Sequence, residues 1–313
     1  MSEEDDAVTS YYCACCGIAE VDDIKLMDCD DCDLARYCSD ECQGNHKSEH
    51  KEACRQRAAE LRDELLFKQP KSSHLGDCPI CCLPLSLDRR KFSMNSCCSI
   101  IICDGCRYAY KKREIEMRLQ QDNTDQWRQF EKRLVIACPF CREPEPKTDK
   151  DIYKRRMKRV EANDPAAMYQ EGLKQYENGD YCTAFEYWST AAEMGDIDAH
   201  CKLSDMYHYG HGVEKDEGKE IHLLEEAAIA GHPDARYNLG GHEWNNQNFE
   251  RAVKHFSIAA TQGHDEAIKT LMRGFKVGIV AKDVLAAALR AHKAAVDATK
   301  SALREEADRV YMV

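Results

Sequence analysis

The sequence predicts a multidomain chain in which two small cysteine-rich α+β modules precede an all-α helical-repeat solenoid. Three observations carry that prediction. All but two of the 19 cysteines fall between Cys13 and Cys141, the exceptions being Cys182 and Cys201. Within that stretch they recur as C-x2-C and C-x3-C pairs, spacings at which two thiolates can converge on one ion. From Asn163 onward the chain repeats itself at the period of stacked helix pairs.

Composition narrows the functional classes. The 313 residues exceed a single typical domain. They carry 56 acidic against 44 basic side chains, a net charge of -12, which makes nucleic acid an unlikely general partner because neutralising phosphates takes a basic face. Disulfides would call for an oxidising compartment and a leader with a basic start and an apolar run, whereas the chain opens Met-Ser-Glu-Glu-Asp-Asp. A cytoplasmic or nuclear setting is therefore expected, where paired cysteines mean metal. No run of 18 apolar residues occurs, so no membrane span is expected.

The first block offers Cys13, Cys16, Cys29, Cys32, Cys38, Cys42, His50 and Cys54, with Cys15 and His46 as spares. Its spacing is C-x2-C-x12-C-x2-C-x5-C-x3-C-x7-H-x3-C. The two x3 steps are i,i+4 and put both ligands on one helix face, with His50 favoured over His46 by its step to Cys54. Four pairs make two tetrahedral sites. The order of ligands, with Tyr37-Cys38, Cys42-Gln43 and the closing His50-x3-Cys54, resembles the MYND-type zinc finger. That resemblance implies interleaving: Cys13, Cys16, Cys38 and Cys42 on one zinc; Cys29, Cys32, His50 and Cys54 on the other. It also implies docking of short, often proline-containing peptides. With every position filled by protein, both ions would be structural. So small a module would draw its folding free energy from metal binding, on the order of 10 kcal/mol or more per zinc.

After a polar helical connector at 52–68 and a break at 70–76, the second block supplies Cys78-Pro-Ile-Cys81, Cys97-Cys98, Cys103-x2-Cys106 and Cys138-Pro-Phe-Cys141-Arg142. It resembles a RING-type finger. That resemblance assigns Cys78, Cys81, Cys103 and Cys106 to one ion, and Cys138 and Cys141 with residues near Cys97 and Cys98 to the other. The sequence departs from the family at Ile100, where a histidine is expected, and Cys97 stands in as the substitute thiolate. Adjacent cysteines seldom share a metal, because successive side chains of extended backbone point to opposite faces. In RING-type ubiquitin ligases the residue inside the first pair contacts the ubiquitin-conjugating enzyme, and Ile80 sits there. Pro139 matches the proline of the last pair, and Arg142 the basic residue that braces the conjugated ubiquitin. Packing and solubility roles for these three residues are the alternative. Such a finger holds no nucleophile and acts by positioning. The segment 107–137 is charged, Gly-free and helical in character, which suggests an extended or doubled helix.

In the second half, alanine-pair segments align at Ala191-Ala192, Ala227-Ala228 and Ala259-Ala260, each followed by Gly195, Gly231 or Gly263. Units start at residues 163, 195, 231 and 263, so the periods are 32, 36 and 32, with four extra residues in the Tyr209–Asp216 loop. Second helices place Phe185, Trp188 and Ala191, then Ile221, Leu224 and Ala227, then Val253, Phe256 and Ala259 on one face. First helices carry Ala199, Leu203 and Tyr207, or Ala267, Leu271 and Phe275. Gly-x-Gly-Val, Lys-Asp and Ala-Ala-x-x-Gly together resemble Sel-like repeats, relatives of the tetratricopeptide repeat. The resemblance implies a protein-binding surface, or alternatively a spacer. His200, His208, His211 and His255 show no paired-ligand spacing and are expected to be packing or surface residues. The basic run Lys154–Arg159 is either a nuclear import signal or the face of a short helix.

The expected layout is two small zinc-stabilised α+β fingers followed by an all-α helical-repeat solenoid. Its parts are an acidic tail (1–12), the MYND-type finger (13–54), a helical connector (55–77), the RING-like finger (78–142), a charged linker (143–162), the repeats (163–299) and a C-terminal helix or tail (300–313). Two zinc ions are expected in the first finger and one or two in the second. The expected function is a protein-protein interaction adaptor that acts as a RING-type ubiquitin ligase, its partners a ubiquitin-conjugating enzyme and short peptide motifs. The alternative is a non-enzymatic scaffold. A lysine methyltransferase is disfavoured, because the repeats fill the chain where that catalytic domain would stand.

Overall fold

The computed structural model describes residues 12–21, 23–121 and 135–311. The chain divides after Lys68 into two compact units.

In the first unit, β1 (Met27–Asp28) and β2 (Arg36–Tyr37) pair antiparallel, with Met27 opposite Tyr37 and Asp28 opposite Arg36. Helix α1 (Asp40–Leu66) follows, its N-terminus capped by the Ser39 hydroxyl accepting from the Cys42 amide. The sequence reading separated a finger ending at Cys54 from a connector. The structure runs one 27-residue helix through both, because neither glycine nor proline occurs between Asn45 and Gln69. The buried core is Cys13, Leu26, Cys29, Cys32, Ala35 and Tyr37. Half of these side chains are thiols, too small an apolar core to hold the unit by itself.

The second unit begins with a 3₁₀ turn (Arg89–Lys91) leading into the hairpin of β3 (Phe92–Met94) and β4 (Ile101–Cys103), with Phe92 opposite Cys103. Helix α2 spans Asp104–Gln121; the rest of the expected long helix, 122–134, lies outside the described residues. The charged linker contains a helix, α3 (Asp149–Glu161), capped by Thr148. Its basic run is the helix face, tied down at several points: Arg155 to the Pro144 carbonyl, Arg156 to Glu171, and Arg159 to Asp164.

The repeats follow as α4 (Pro165–Glu177), α5 (Tyr181–Glu193), α6 (Ile197–Tyr209), α7 (Glu217–Ile229), α8 (Pro233–Asn245) and α9 (Phe249–Thr261). Helices α10 (Asp265–Lys276) and α11 (Lys282–Ala298) form the fourth, degenerate pair, and α12 (Ala302–Tyr311) closes the chain. Asp164, Asp180, Asp196 and Asp216 cap successive helices through side-chain oxygens. Gly195, Gly231 and Gly263 stand at φ near +90°, the conformation that lets each second helix stop and the chain reverse.

Trp188, Leu224 and Phe256 are buried at matching positions of successive second helices, and glycines face two of them from the preceding helix: Gly172 under Trp188 and Gly240 under Phe256. A Cβ at Gly172 would stand 2.4 Å from the Trp188 ring, and one at Gly240 2.6 Å from Phe256. Phe275, expected on the apolar face, is 42 % exposed at the end of the array.

The finger of this unit and the repeats hold each other. Arg89 reaches Asp198 at 2.6 Å, the His74 amide donates to the Gly231 carbonyl at 3.1 Å, and the Ser99 hydroxyl donates to Asp164 at 2.7 Å.

Asp196 combines its cap with a cost. Burial raises its carboxyl to about 6, against the lowering effect of the Ala199 amide bond. A folded value above the unfolded one removes stability as pH rises from about 4 to 6 and keeps it removed above that. Asp196→Asn retains a capping oxygen. It is expected to stabilise the protein by roughly 1–2 kcal/mol at pH 7 and to change nothing at pH 4, as thermal melts at the two pH values would show.

Candidate metal centres

Three of the five C-x2-C pairs are built by one local device. In Cys13–Ile18, the Cys13 amide donates to the Ile18 carbonyl and the Gly17 amide returns to the Cys13 carbonyl, with Gly17 at φ +73°. Cys78 and Leu83 repeat this arrangement around Cys82 at φ +54°, as do Cys138 and Glu143 around Arg142 at φ +65°. In these three loops the amides turn toward the sulfurs, and the first cysteine of each, Cys13, Cys78 and Cys138, is shifted toward the thiolate. Burial opposes ionisation of Cys13, but amide hydrogen bonds led by Cys16 and Cys38 outweigh it and bring the thiol down to about 6. At Cys78 the amides of Cys103, Cys81 and Ile80 likewise overcome burial and bring it to about 7. The left-handed position suits glycine, so Cys82→Gly is expected to stabilise the second finger by about 1 kcal/mol in a denaturant melt.

The pairs converge into four clusters, each with its ligand atoms within 4.8 Å of one another. Cys13, Cys16, Cys38 and Cys42 form the first, with Cys16 and Cys42 both 3.6 Å from Cys38. In the second, Cys29 and Cys54 lie 3.7 Å apart and Cys32 stands 3.1 Å from His50 Nε2. His46 instead bonds the Tyr37 hydroxyl through Nδ1 and stacks on His50, so it supports the ligand from outside the cluster. Cys78, Cys81, Cys103 and Cys106 make the third cluster, with 3.8 Å between Cys81 and Cys103. A tetrahedron with 2.3 Å zinc–sulfur bonds has edges of about 3.8 Å, so these donor sets fit zinc. All 19 cysteines are free thiols, with no disulfide competing for them.

The fourth cluster departs from the expectation for neighbouring cysteines. Cys97 and Cys98 both join Cys138 and Cys141, at 3.3 Å from Cys141 and 3.7 Å from Cys138 respectively. The backbone here is a tight turn rather than extended: the Cys98 and Ser99 amides both donate to the Asn95 carbonyl, and Ser99 sits at φ +55°. Opposed side chains require extended backbone, and this turn removes that condition. Ile100, where a histidine was expected, packs half-buried beside Cys78 and Ile102.

Of the three predicted contact residues, Ile80 is 45 % exposed. Pro139 is half-buried in a cleft of about 250 Å³ shared with Arg107 and Tyr110, and Arg142 is exposed with its guanidinium in hydrogen-bonding reach of Tyr110. In the first finger, Tyr37, Gln43, Lys47, His50, Lys51 and Ala58 line a cleft of about 700 Å³ along α1.

The repeat histidines have polar roles. His208 and His242 both bond Glu220 Oε1, and His211 bonds the Tyr176 hydroxyl at 2.6 Å. Among the clusters that the sequence reading did not predict is His74, Asp198 and His232. Here His232 Nδ1 accepts from the Ala235 amide, so Nε2 carries the proton that it donates to Asp198 and is not free for a metal. Burial disfavours the Asp198 charge, but His232, His74 and Arg89 outweigh it and hold the carboxyl well below its usual range. The repeat itself brings His232 to Asp198, and the segment before the second finger adds His74.

Comparison with known proteins finds family-model matches for the first finger and the repeats. Residues 13–54 match the family model for the MYND finger, and residues 166–196, 197–232 and 233–264 each match that for the Sel1 repeat. Similar solved structures include a Sel1 repeat protein from Oxalobacter formigenes, 28 % identical over 49 % of this chain and 66 % of that one, with a TM-score of 0.43. Another is c5321, a protective antigen of uropathogenic Escherichia coli with an SLR fold, 19 % identical over 53 % of this chain and 37 % of that one, with a TM-score of 0.39. This chain thus spans less than two thirds of either structure. No curated protein matches the chain. The family models thus place a MYND finger ahead of three Sel1 repeats in one chain. Among the described residues no helix is long and apolar enough to cross a membrane.

Proposed function

We propose that the chain holds four structural zinc ions, two in each finger, and that the second finger is a RING-type ubiquitin ligase module rigidly docked on a partner-selecting solenoid. The observation that carries the reading is the interleaving of two cysteine tetrads around Ile80, which stays exposed between two ligands. An aliphatic side chain held out on a metal-fixed loop is an anchor for a flat partner surface. All four positions of each cluster come from protein, so no metal coordination site is left for substrate chemistry, and any catalysis is positioning of a ubiquitin-conjugating enzyme bearing its thioester. The first-finger cleft suits a short extended peptide, proline-containing by family resemblance. The free thiols suit a cytoplasmic or nuclear setting.

Ubiquitin-transfer assays with a panel of conjugating enzymes test this. Ile80→Ala is expected to lower transfer at least tenfold. Arg142→Gly relieves a left-handed residue, so it preserves the fold while removing the guanidinium, and it too is expected to reduce transfer. Activity unchanged in both variants would reject the assigned contacts. No transfer by wild type with any conjugating enzyme would leave the non-enzymatic scaffold.

A further inference from the structure

We infer that Arg304, on the C-terminal helix, is the charge partner that secures the metal cluster of Cys78, Cys81, Cys103 and Cys106 from outside its ligand shell. The inference rests on the proposed zinc at that cluster. Four thiolates and one divalent ion leave a net charge of -2 on a site with three buried cysteines, which a nearby hydrogen-bonding cation stabilises.

The guanidinium is placed for this. One terminal nitrogen donates to Cys81 Sγ at 3.4 Å and to the Leu83 carbonyl at 3.1 Å; the other donates to the carbonyls of Pro84 and Thr299, both at 2.7 Å. Cys103 is also within its hydrogen-bonding reach. Arg304 therefore clamps the loop that follows the first ligand pair and ties it to the end of α11, across more than 200 residues of sequence.

The rest of α12 is fitted to the finger. A Cβ at Gly105, between two ligands, would stand 2.8 Å from the Arg304 backbone nitrogen, so only glycine admits the helix. Lys91 pairs with Asp308 at 3.0 Å, Glu306 accepts from Lys112 and Tyr108 at 3.1 Å each, and the Tyr108 and Tyr311 rings meet edge to face. The far end of the solenoid is thus a third layer of the finger, and metal retention depends on it.

Full-length protein under chelator challenge, with zinc release followed by a colorimetric dye and exposed thiols mapped by alkylation and mass spectrometry, tests the assignment. Arg304→Gln is expected to speed release of one zinc by about 10- to 100-fold and to expose Cys78, Cys81, Cys103 and Cys106 before any other ligand. Arg304→Lys should fall between, keeping charge but not the four-bond fork. Gly105→Ala, which displaces the helix without touching the guanidinium, should reproduce the Arg304→Gln pattern. Protection of the four thiols as strong in Arg304→Gln as in wild type would overturn the role of Arg304 alone. Equal acceleration at all clusters would also overturn it, as general destabilisation. Wild type whose four thiols react like free cysteines would overturn the zinc reading itself, and this inference with it.

Discussion

Cys78→Ser is expected to dismantle the second finger while leaving the repeats folded. Cys78 is fully buried, and both the Cys103 amide and its own loop point at its sulfur. Serine offers a hydroxyl that does not ionise near neutral pH, so the cluster loses a ligand and the metal-binding free energy, on the order of 10 kcal/mol, that holds the finger together. Its apolar remainder is Leu85 and Ile102 with a few half-buried neighbours, too little to hold it unaided. Hydrogen exchange should show collapsed protection over residues 76–106 and retained protection in α5 and α9, whose cores are their own. Cys182→Ser, at an exposed thiol outside every cluster, should change stability by less than about 0.5 kcal/mol.

Trp188→Ala carries the second large effect. Trp188 has no exposed surface, its indole N–H donates to the Tyr169 carbonyl at 3.1 Å, and it packs against Ala184, Ala191, Leu203 and Met206. Truncation leaves a cavity over Gly172, while the Tyr169 carbonyl keeps its intrahelical bond, a loss of about 3–5 kcal/mol read from the urea midpoint. Gly172→Ala attacks the same contact from the other side, since its Cβ would fall 2.4 Å from the ring. The two substitutions should couple in a double-mutant cycle: the alanine methyl that clashes with tryptophan has room once the indole is gone.

The grouping of the cysteines and the repeat register were legible in the sequence because both are local chemistry. A C-x2-C loop needs only its own amides to aim two sulfurs, and the alanine–glycine punctuation recurs wherever a second helix ends. Vicinal Cys97 and Cys98 were harder, since their convergence depends on the turn at Asn95 and the left-handed Ser99, which cysteine spacing does not reveal. The continuity of α1 was readable in hindsight from the absence of any glycine or proline between Gly44 and Pro70. What no periodicity encodes is the docking of one element on another. Arg304 on Cys81, and Asp198 between Arg89, His74 and His232, join residues far apart in the chain through shape and charge alone.

Zinc stoichiometry of the full-length chain, purified under reducing conditions and measured by elemental analysis against protein concentration, tests the central claim most directly. Two interleaved pairs of complete clusters predict four ions per chain. Three would mean that the turn bearing Cys97 and Cys98 does not complete its site. Two or fewer would contradict the reading of the second cysteine block as a zinc finger.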